Sequence, residues 1–141
     1  MKICIIVGAR PNFMKVAPLI HAIEKAKNAG QDIDSSLIYA GSENDPTLED
    51  SLFSDMMINR PDVYLGVDCQ NLNELTGRVM SKFDRYLTEN KTDVVIVVDD
   101  LASTMAAAIV TKKHGIALAH LVAGTRSFDI KMPKEINRLV I

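Results

Sequence analysis

The sequence predicts a single α/β domain, a Rossmann-like parallel sheet flanked by helices, and three observations lead to that prediction. The chain has 141 residues, which fits one domain. Its most apolar runs, residues 3–7 and 94–98, are short and β-branched, as the central strands of a parallel sheet are. Segments with apolar residues at helical spacing alternate with such runs, and this alternation indicates strand–helix–strand units.

The first half of the chain opens with a strand at residues 3–7, which stops at Gly8. A helix follows the turn at residues 8–12. We expect that helix to start near Pro18, because proline is tolerated in the first turn but not in a helix interior. A stop is expected at Gly30. The next predicted elements are a strand at residues 37–40 and an amphipathic helix at residues 48–56.

The second half continues the alternation. Residues 61–66 are expected to form a loop with a little extended structure. The elements predicted after it are a long amphipathic helix at 72–87, a strand at 94–98, an alanine-rich helix at 103–113, a strand at 116–121 and a helix at 133–141.

Composition argues against several classes of function. The formal net charge is −2 and no basic stripe is present, so nucleic acid is not an expected partner. No apolar run approaches the ~20 residues that span a bilayer, and no membrane partner is expected. The two cysteines lack metal-ligand spacing, and Cys4 is expected to be a buried thiol. Without a signal-peptide pattern, a cytoplasmic location is the expectation.

Ligands of open parallel sheets bind beyond the carboxyl ends of the strands. The first loop there combines Gly8 with two cations, Arg10 and Lys15. The fork of Arg10 suits phosphate oxygens, although a plain turn with solvated cations is the alternative. The dinucleotide fingerprint is absent, because Arg10 and Phe13 occupy the positions of its second and third glycines. The other loops at this edge are residues 41–45, 99–103 and 120–127.

Two of these loops carry further candidates. Asp99 and Asp100 follow the most apolar strand, where a carboxylate could contact a sugar hydroxyl or act as a base. Capping of the next helix by an aspartate or by Ser103 is the favoured alternative, because both residue types are good N-caps. His120 ends the last strand, where a structural role is commoner than a catalytic one, and Arg126 makes an anion contact conceivable.

Taken together, these loops resemble the non-hydrolysing UDP-N-acetylglucosamine 2-epimerase family. The opening Gly8-Ala9-Arg10-Pro11 with Lys15-Val16-Ala17-Pro18-Leu19 is similar to the family's G-x-R-P…K-x-A-P-L. The remaining matches, in order, are Leu65-Gly66-Val67, Thr76-Gly77-Arg78, Ser103-Thr104, His120, Ala123-Gly124, Arg126-Ser127, Met132-Pro133 and Glu135-Ile136-Asn137-Arg138.

The resemblance implies a GT-B architecture of two Rossmann-like halves, of which residues 1–141 are the amino-terminal one, with the nucleotide-binding half absent. It implies interconversion of UDP-GlcNAc and UDP-ManNAc by elimination and re-addition of UDP, without cofactor or metal, in cell-surface polysaccharide biosynthesis. Carried over residue by residue, it implies a catalytic role for Asp100. The implied substrate-binding residues are Arg10, Lys15, His120 and Arg138.

The sequence departs from the family at chemically important positions. The family's H-V-E-A-G places a glutamate where this chain has Val122, and P-E-E-x-N-R places one where it has Lys134. The family's G-D-T-N is replaced by residues 99–102, so that Asp99 stands where the family has glycine. Proton transfer by a placed side chain contributes about 10²–10⁴-fold, and valine can transfer no proton. The isolated chain is therefore predicted to be inactive.

Two hypotheses follow for function. The first is an amino-terminal domain of a UDP-sugar epimerase whose binding of UDP-sugar is weak or lost. The second is a non-catalytic nucleotide-sugar-binding or assembly module. A homodimer is expected from the resemblance and from apolar residues at 56–58 and 72–87, which could equally pack the domain core.

Overall fold

A computed structural model describes all residues, 1–141. Five parallel strands form one sheet in the order β3-β2-β1-β4-β5. The strands are β1 (Lys2–Val7), β2 (Asp34–Tyr39), β3 (Val63–Tyr64), β4 (Val94–Val98) and β5 (Ala117–Leu121). The helices are α1 (Arg10–Asn28), α2 (Asp50–Met56), α3 (Leu72–Glu89), α4 (Ala102–Lys113) and α5 (Pro133–Val140). The predicted fold class is confirmed.

Helices cover both faces of the sheet, because alternate side chains of the central strands point in opposite directions. Ile3, Ile5 and Val7 pack with α1 and α2 in one core cluster. Cys4 and Ile6 pack with α3 and α4 in the other. Burial of Cys4 confirms the expectation for that thiol, and burial raises its pKa. None of the helices is long and apolar enough to cross a membrane.

One prediction about an individual element needs correction, and the little extended structure expected in residues 61–66 is confirmed. The first helix begins at Arg10 rather than near Pro18, because Pro11 supplies the proline of its first turn. Pro18 lies inside α1 on its exposed face, where solvent can satisfy the backbone carbonyl that the proline ring leaves unpaired. The segment 61–66 contributes a short edge strand, β3, whose register pairs Ile38 with Val63.

The apolar residues considered for self-association are mostly in the core. Val79, Phe83 and Leu87 of α3 are buried against the sheet and α4, and Ile58 is also buried. Met57 remains exposed in a left-handed turn that ends α2. A homodimer stays a prediction, with less exposed apolar surface at these positions than the sequence pattern indicates.

Candidate functional site at the carboxyl edge of the sheet

Charged residues from four segments meet at the carboxyl ends of β1, β4 and β5. A cavity of about 190 Å³ lies among them. Its lining residues are Asp99, Asp100, His120, Val122, Gly124, Thr125, Arg126 and Arg138. Parallel strands end at the same edge, which is why loops far apart in the sequence converge here.

Asp99 is the centre of the first group. Lys15 Nζ lies 2.6 Å from both carboxylate oxygens, and Asn12 Nδ2 donates to Oδ2 over 2.7 Å. His120 Nε2 lies 2.7 Å from the Asp99 carbonyl oxygen, within hydrogen-bond distance. These contacts join the start of α1, the loop after β4 and the end of β5.

Asn12 links this group to the backbone at the start of α1. Its Oδ1 accepts hydrogen bonds from the N–H groups of Gly8 (3.0 Å) and Ala9 (3.2 Å). Asn12 is 1% exposed, so its amide can reach only groups inside the site. Asn12 was not among the site residues predicted from the sequence. Its place in the first turn of α1, three residues after Ala9, is the signal that could have identified it.

Asp100 forms the second group with α5. Two nitrogens of Arg138 approach one oxygen of the Asp100 carboxylate, Oδ2, with Nε at 2.8 Å and a terminal nitrogen at 2.7 Å. Hydrogen bonding to Asp100 raises the pKa of Arg138. Lys134 lies 3.7 Å from the same carboxylate, and Asn137 donates to the Asp100 carbonyl over 2.8 Å. A lysine thus contacts Asp100 at a position where the family pattern has a glutamate.

A buried carboxylate holds the loop between β5 and α5. Glu135 is fully buried and accepts from the N–H and the hydroxyl of Ser127, each at 2.9 Å, and from Arg126. The Ser127 backbone bond, with the Arg126 and Ser127 side-chain bonds, lowers the pKa of Glu135 to about 2, against the opposing effect of burial. This role of Glu135 was not predicted from the sequence.

The structure contradicts the favoured capping interpretation of the loop at 99–103. Leu101 is the N-cap of α4 and provides no side-chain cap. Both aspartates face cations instead, and Ser103 lies inside the helix, where it is buried. Tertiary ion pairs to Lys15 and Arg138 have replaced the local capping that residue preferences favour.

Of the five site residues expected from the sequence, four lie in these contacts. They are Lys15, Asp100, His120 and Arg138. Arg10 starts α1 at the same edge, and its side chain is exposed and forms no hydrogen bond or ion pair within the chain. No group of three or more His, Cys, Asp or Glu side chains is arranged to hold a metal ion. The roles of these residues remain predictions.

A larger cavity of about 410 Å³ lies beside this site, beyond the ends of β1 and β2. Gly8 and Ser103 are among its lining residues, and Tyr39 donates its hydroxyl hydrogen to Asp45 at its wall. Burial and the Asp45 carboxylate raise the pKa of Tyr39. Hydroxyl, amide and carboxylate groups line this cavity, and no lysine or arginine does.

A parallel sheet in this order, with polar and charged side chains gathered at its carboxyl edge, defines the Rossmann-like class of α/β domains. Residues 25–141 match the family model for UDP-N-acetylglucosamine 2-epimerase. This chain belongs to that family.

Individual relatives agree with the family assignment. A UDP-N-acetylglucosamine 2-epimerase homolog from Methanococcus maripaludis is 36% identical over 99% of this chain and 38% of its own length. UDP-2,3-diacetamido-2,3-dideoxy-D-glucuronate 2-epimerase from Pseudomonas aeruginosa is 32% identical, again over 38% of its length. The crystal structure of UDP-GlcNAc 2-epimerase from Methanocaldococcus jannaschii, in complex with UDP-GlcNAc and UDP, superposes with a TM-score of 0.85 at 34% identity, covering 99% of this chain and 37% of that one. The chain therefore spans well under half the length of these relatives.

Proposed function

We propose that this chain forms one wall of a cleft for a UDP-linked amino sugar, as the amino-terminal part of a UDP-N-acetylglucosamine 2-epimerase-like protein. The observation that carries the proposal is the convergence of Lys15, Asp100, His120 and Arg138 at the carboxyl edge of the sheet. Arg10 supplies an unpaired cation at the same edge, suited to a diphosphate.

The two neighbouring cavities fit the two chemical parts of such a ligand. The smaller cavity has guanidinium groups from Arg126 and Arg138, which are complementary to phosphate oxygens and offset the carboxylates of Asp99 and Asp100 in the same lining. The larger one has uncharged donors and acceptors together with carboxylates, which are complementary to sugar hydroxyls and repel a diphosphate. The M. jannaschii relative was crystallised with UDP-GlcNAc and UDP, which supports a ligand of this class.

The family reaction interconverts UDP-GlcNAc and UDP-ManNAc, and we propose that this chain alone does not perform it. Val122 is 54% exposed beside the smaller cavity, and it offers methyl groups where a general acid or base is needed. Lys134 pairs with Asp100, the remaining candidate for proton transfer. A second Rossmann-like half would be required to bind uridine, because one wall leaves the substrate solvated and poorly positioned.

The second candidate function is an assembly module without ligand. The observation that favours it is that Lys15 and Arg138 are already paired within the chain.

The first proposal also includes homodimer formation, a cytoplasmic location and a place in cell-surface polysaccharide synthesis.

Calorimetric titration with UDP and UDP-GlcNAc tests the proposal. We expect binding at millimolar ligand or below and, for Arg10→Ala, at least about tenfold weaker binding. Arg85→Ala is the matched control, because Arg85 is an exposed arginine of α3, outside the site. No binding at millimolar ligand, or equal losses in the two variants, would favour the assembly module. Conversion of UDP-GlcNAc to UDP-ManNAc by the chain alone would contradict the predicted inactivity.

A further inference from the structure

Two hydrogen-bond donors converge on the carboxylate of Asp99 in the way that proteins hold an anionic ligand. One donor is the ammonium of Lys15, 2.6 Å from each oxygen, and the other is the buried amide of Asn12 at 2.7 Å. A cation and a buried amide aimed at one point are suited to phosphate or carboxylate oxygens. In this chain the anion at that point is part of the protein itself.

The backbone conformation and backbone contacts at position 99 do not depend on the Asp99 carboxylate. Asp99 has φ +60°, in the left-handed region that glycine adopts without steric cost and other residues adopt uncommonly. Its N–H donates to the Leu121 carbonyl (3.1 Å), and its own carbonyl oxygen lies 2.7 Å from His120 Nε2. These backbone contacts require no side chain at position 99. A glycine could therefore make the same turn without filling the space between Asn12 and Lys15.

We propose that Asp99 is a specificity-determining residue that occupies an anion subsite formed by Asn12 and Lys15. The inference rests on the proposed function and deepens it. The Lys15 side chain is 39% exposed, so a diphosphate oxygen that approaches it shares the ammonium with Asp99 and meets the negative charge of Asp99 at close range. The residue at position 99 thereby sets how strongly this wall of the cleft binds a diphosphate.

Asp99→Gly and Asp99→Asn separate the charge of the side chain from its shape. Asparagine tolerates the left-handed conformation and can still accept from Asn12, so it keeps the loop while removing the charge. We expect Asp99→Gly to bind UDP about tenfold more tightly than the unchanged chain, since a like charge about 5 Å away costs that order of affinity at a partly exposed site. Asp99→Asn should show a smaller gain, because its uncharged side chain still fills the space between Asn12 and Lys15. Inorganic pyrophosphate should show the same gain, because the subsite recognises the diphosphate rather than the nucleoside.

Two controls restrict the interpretation. The first control is Asp34→Asn, which removes the same charge from another ion-paired aspartate. Asp34 pairs with Lys27 at 2.8 Å at the opposite edge of the sheet. This variant should leave the affinity for UDP unchanged. Adding Lys15→Ala to Asp99→Gly should cancel the gain, because the subsite then lacks its cation. Dispersed amide resonances in a proton–nitrogen NMR spectrum verify that each variant is folded.

The outcomes distinguish this inference from the function on which it rests. Tighter binding by both Asp99 variants supports the inference, including the case in which the unchanged chain binds nothing and the proposed native function fails. Equal or weaker binding by folded Asp99 variants, with the unchanged chain still binding UDP, overturns the inference and leaves the function standing. No binding by any variant overturns both. A gain for UDP but not for pyrophosphate would overturn the assignment of a diphosphate subsite.

Discussion

Val122 offers the sharpest test of the strain at the carboxyl edge of the sheet. It has φ +62°, which is a genuine outlier for a β-branched residue, and its side chain is 54% exposed. The left-handed conformation costs an L residue about 1–2 kcal/mol. Replacing Val122 removes that cost and gives up little burial.

The magnitude follows from two opposing effects. Val122→Gly relieves about 1–2 kcal/mol of strain and loses about 0.5–1 kcal/mol to the greater freedom of glycine in the unfolded chain. The net gain is therefore between zero and about 1.5 kcal/mol. A domain of this size gains about 2–4 °C in Tm per kcal/mol, so the rise should be at most about 6 °C. Val122→Asn avoids the glycine penalty and should gain about 1 kcal/mol.

Thermal unfolding followed by circular dichroism measures these shifts. Val140→Gly is the matched control, since Val140 is 48% exposed but lies in α5, where glycine is unfavourable by up to about 1 kcal/mol. We expect the same substitution to raise Tm at position 122 and to lower it or leave it unchanged at position 140. A lower Tm for both Val122 variants would refute the argument from backbone strain.

Three further predictions concern packing, acid stability and the core. A Cβ at Gly8 would lie 2.0 Å from Ser103 Oγ, so Gly8→Ala should lower the free energy of unfolding measured in urea by about 1–3 kcal/mol. Adding Ser103→Gly should recover most of that loss. Additive losses from the two substitutions would contradict a steric clash between these residues. Glu135 has its pKa lowered to about 2 from an unfolded value of about 4.3. The stabilisation that Glu135 provides should therefore be complete above about pH 4.3 and be lost as pH falls to about 2. Glu135→Gln should flatten the dependence of Tm on pH across that window. An equal slope of Tm against pH in the variant and in the unchanged chain would argue against the Glu135 contacts. Phe83→Ala empties a fully buried position and should cost about 3–5 kcal/mol in the same urea assay, whereas a loss below 1 kcal/mol would contradict its place in the core.

The strands and their order of succession could be predicted because their signal is local. Residues 94–98 are apolar without interruption, and the structure forms β4 over the same five residues, Val94–Val98. The short β3 has no comparable signal, because its two residues are an edge strand defined by pairing with β2. The start of α1 was mispredicted because two prolines compete for the first turn, and the side chain of Asn12 favours the earlier one.

The location of the candidate site at the carboxyl edge of the sheet could be predicted, while most of the contacts within it could not. Strand ends located Lys15, Asp100 and His120 at one edge. Local statistics then favoured helix capping for the aspartates, since capping depends on neighbours in sequence, whereas the partner of Asp100 is 38 residues away. The role of Glu135 was missed because its partners Arg126 and Ser127 lie nine and eight residues away in the sequence. For Asn12, the contacts with Gly8 and Ala9 are local, whereas the contact with Asp99 is not.

A parallel α/β domain with a charged carboxyl edge follows from the amino-acid sequence, because hydrophobic periodicity and the motifs of the family are properties of short segments. The partner of each charged group follows from the folded arrangement of those segments. Lys15 is paired with Asp99 and Arg138 with Asp100, and Glu135 is buried beneath Arg126. Ion pairs depend on distances of a few ångströms between side chains, and the folded sheet sets those distances.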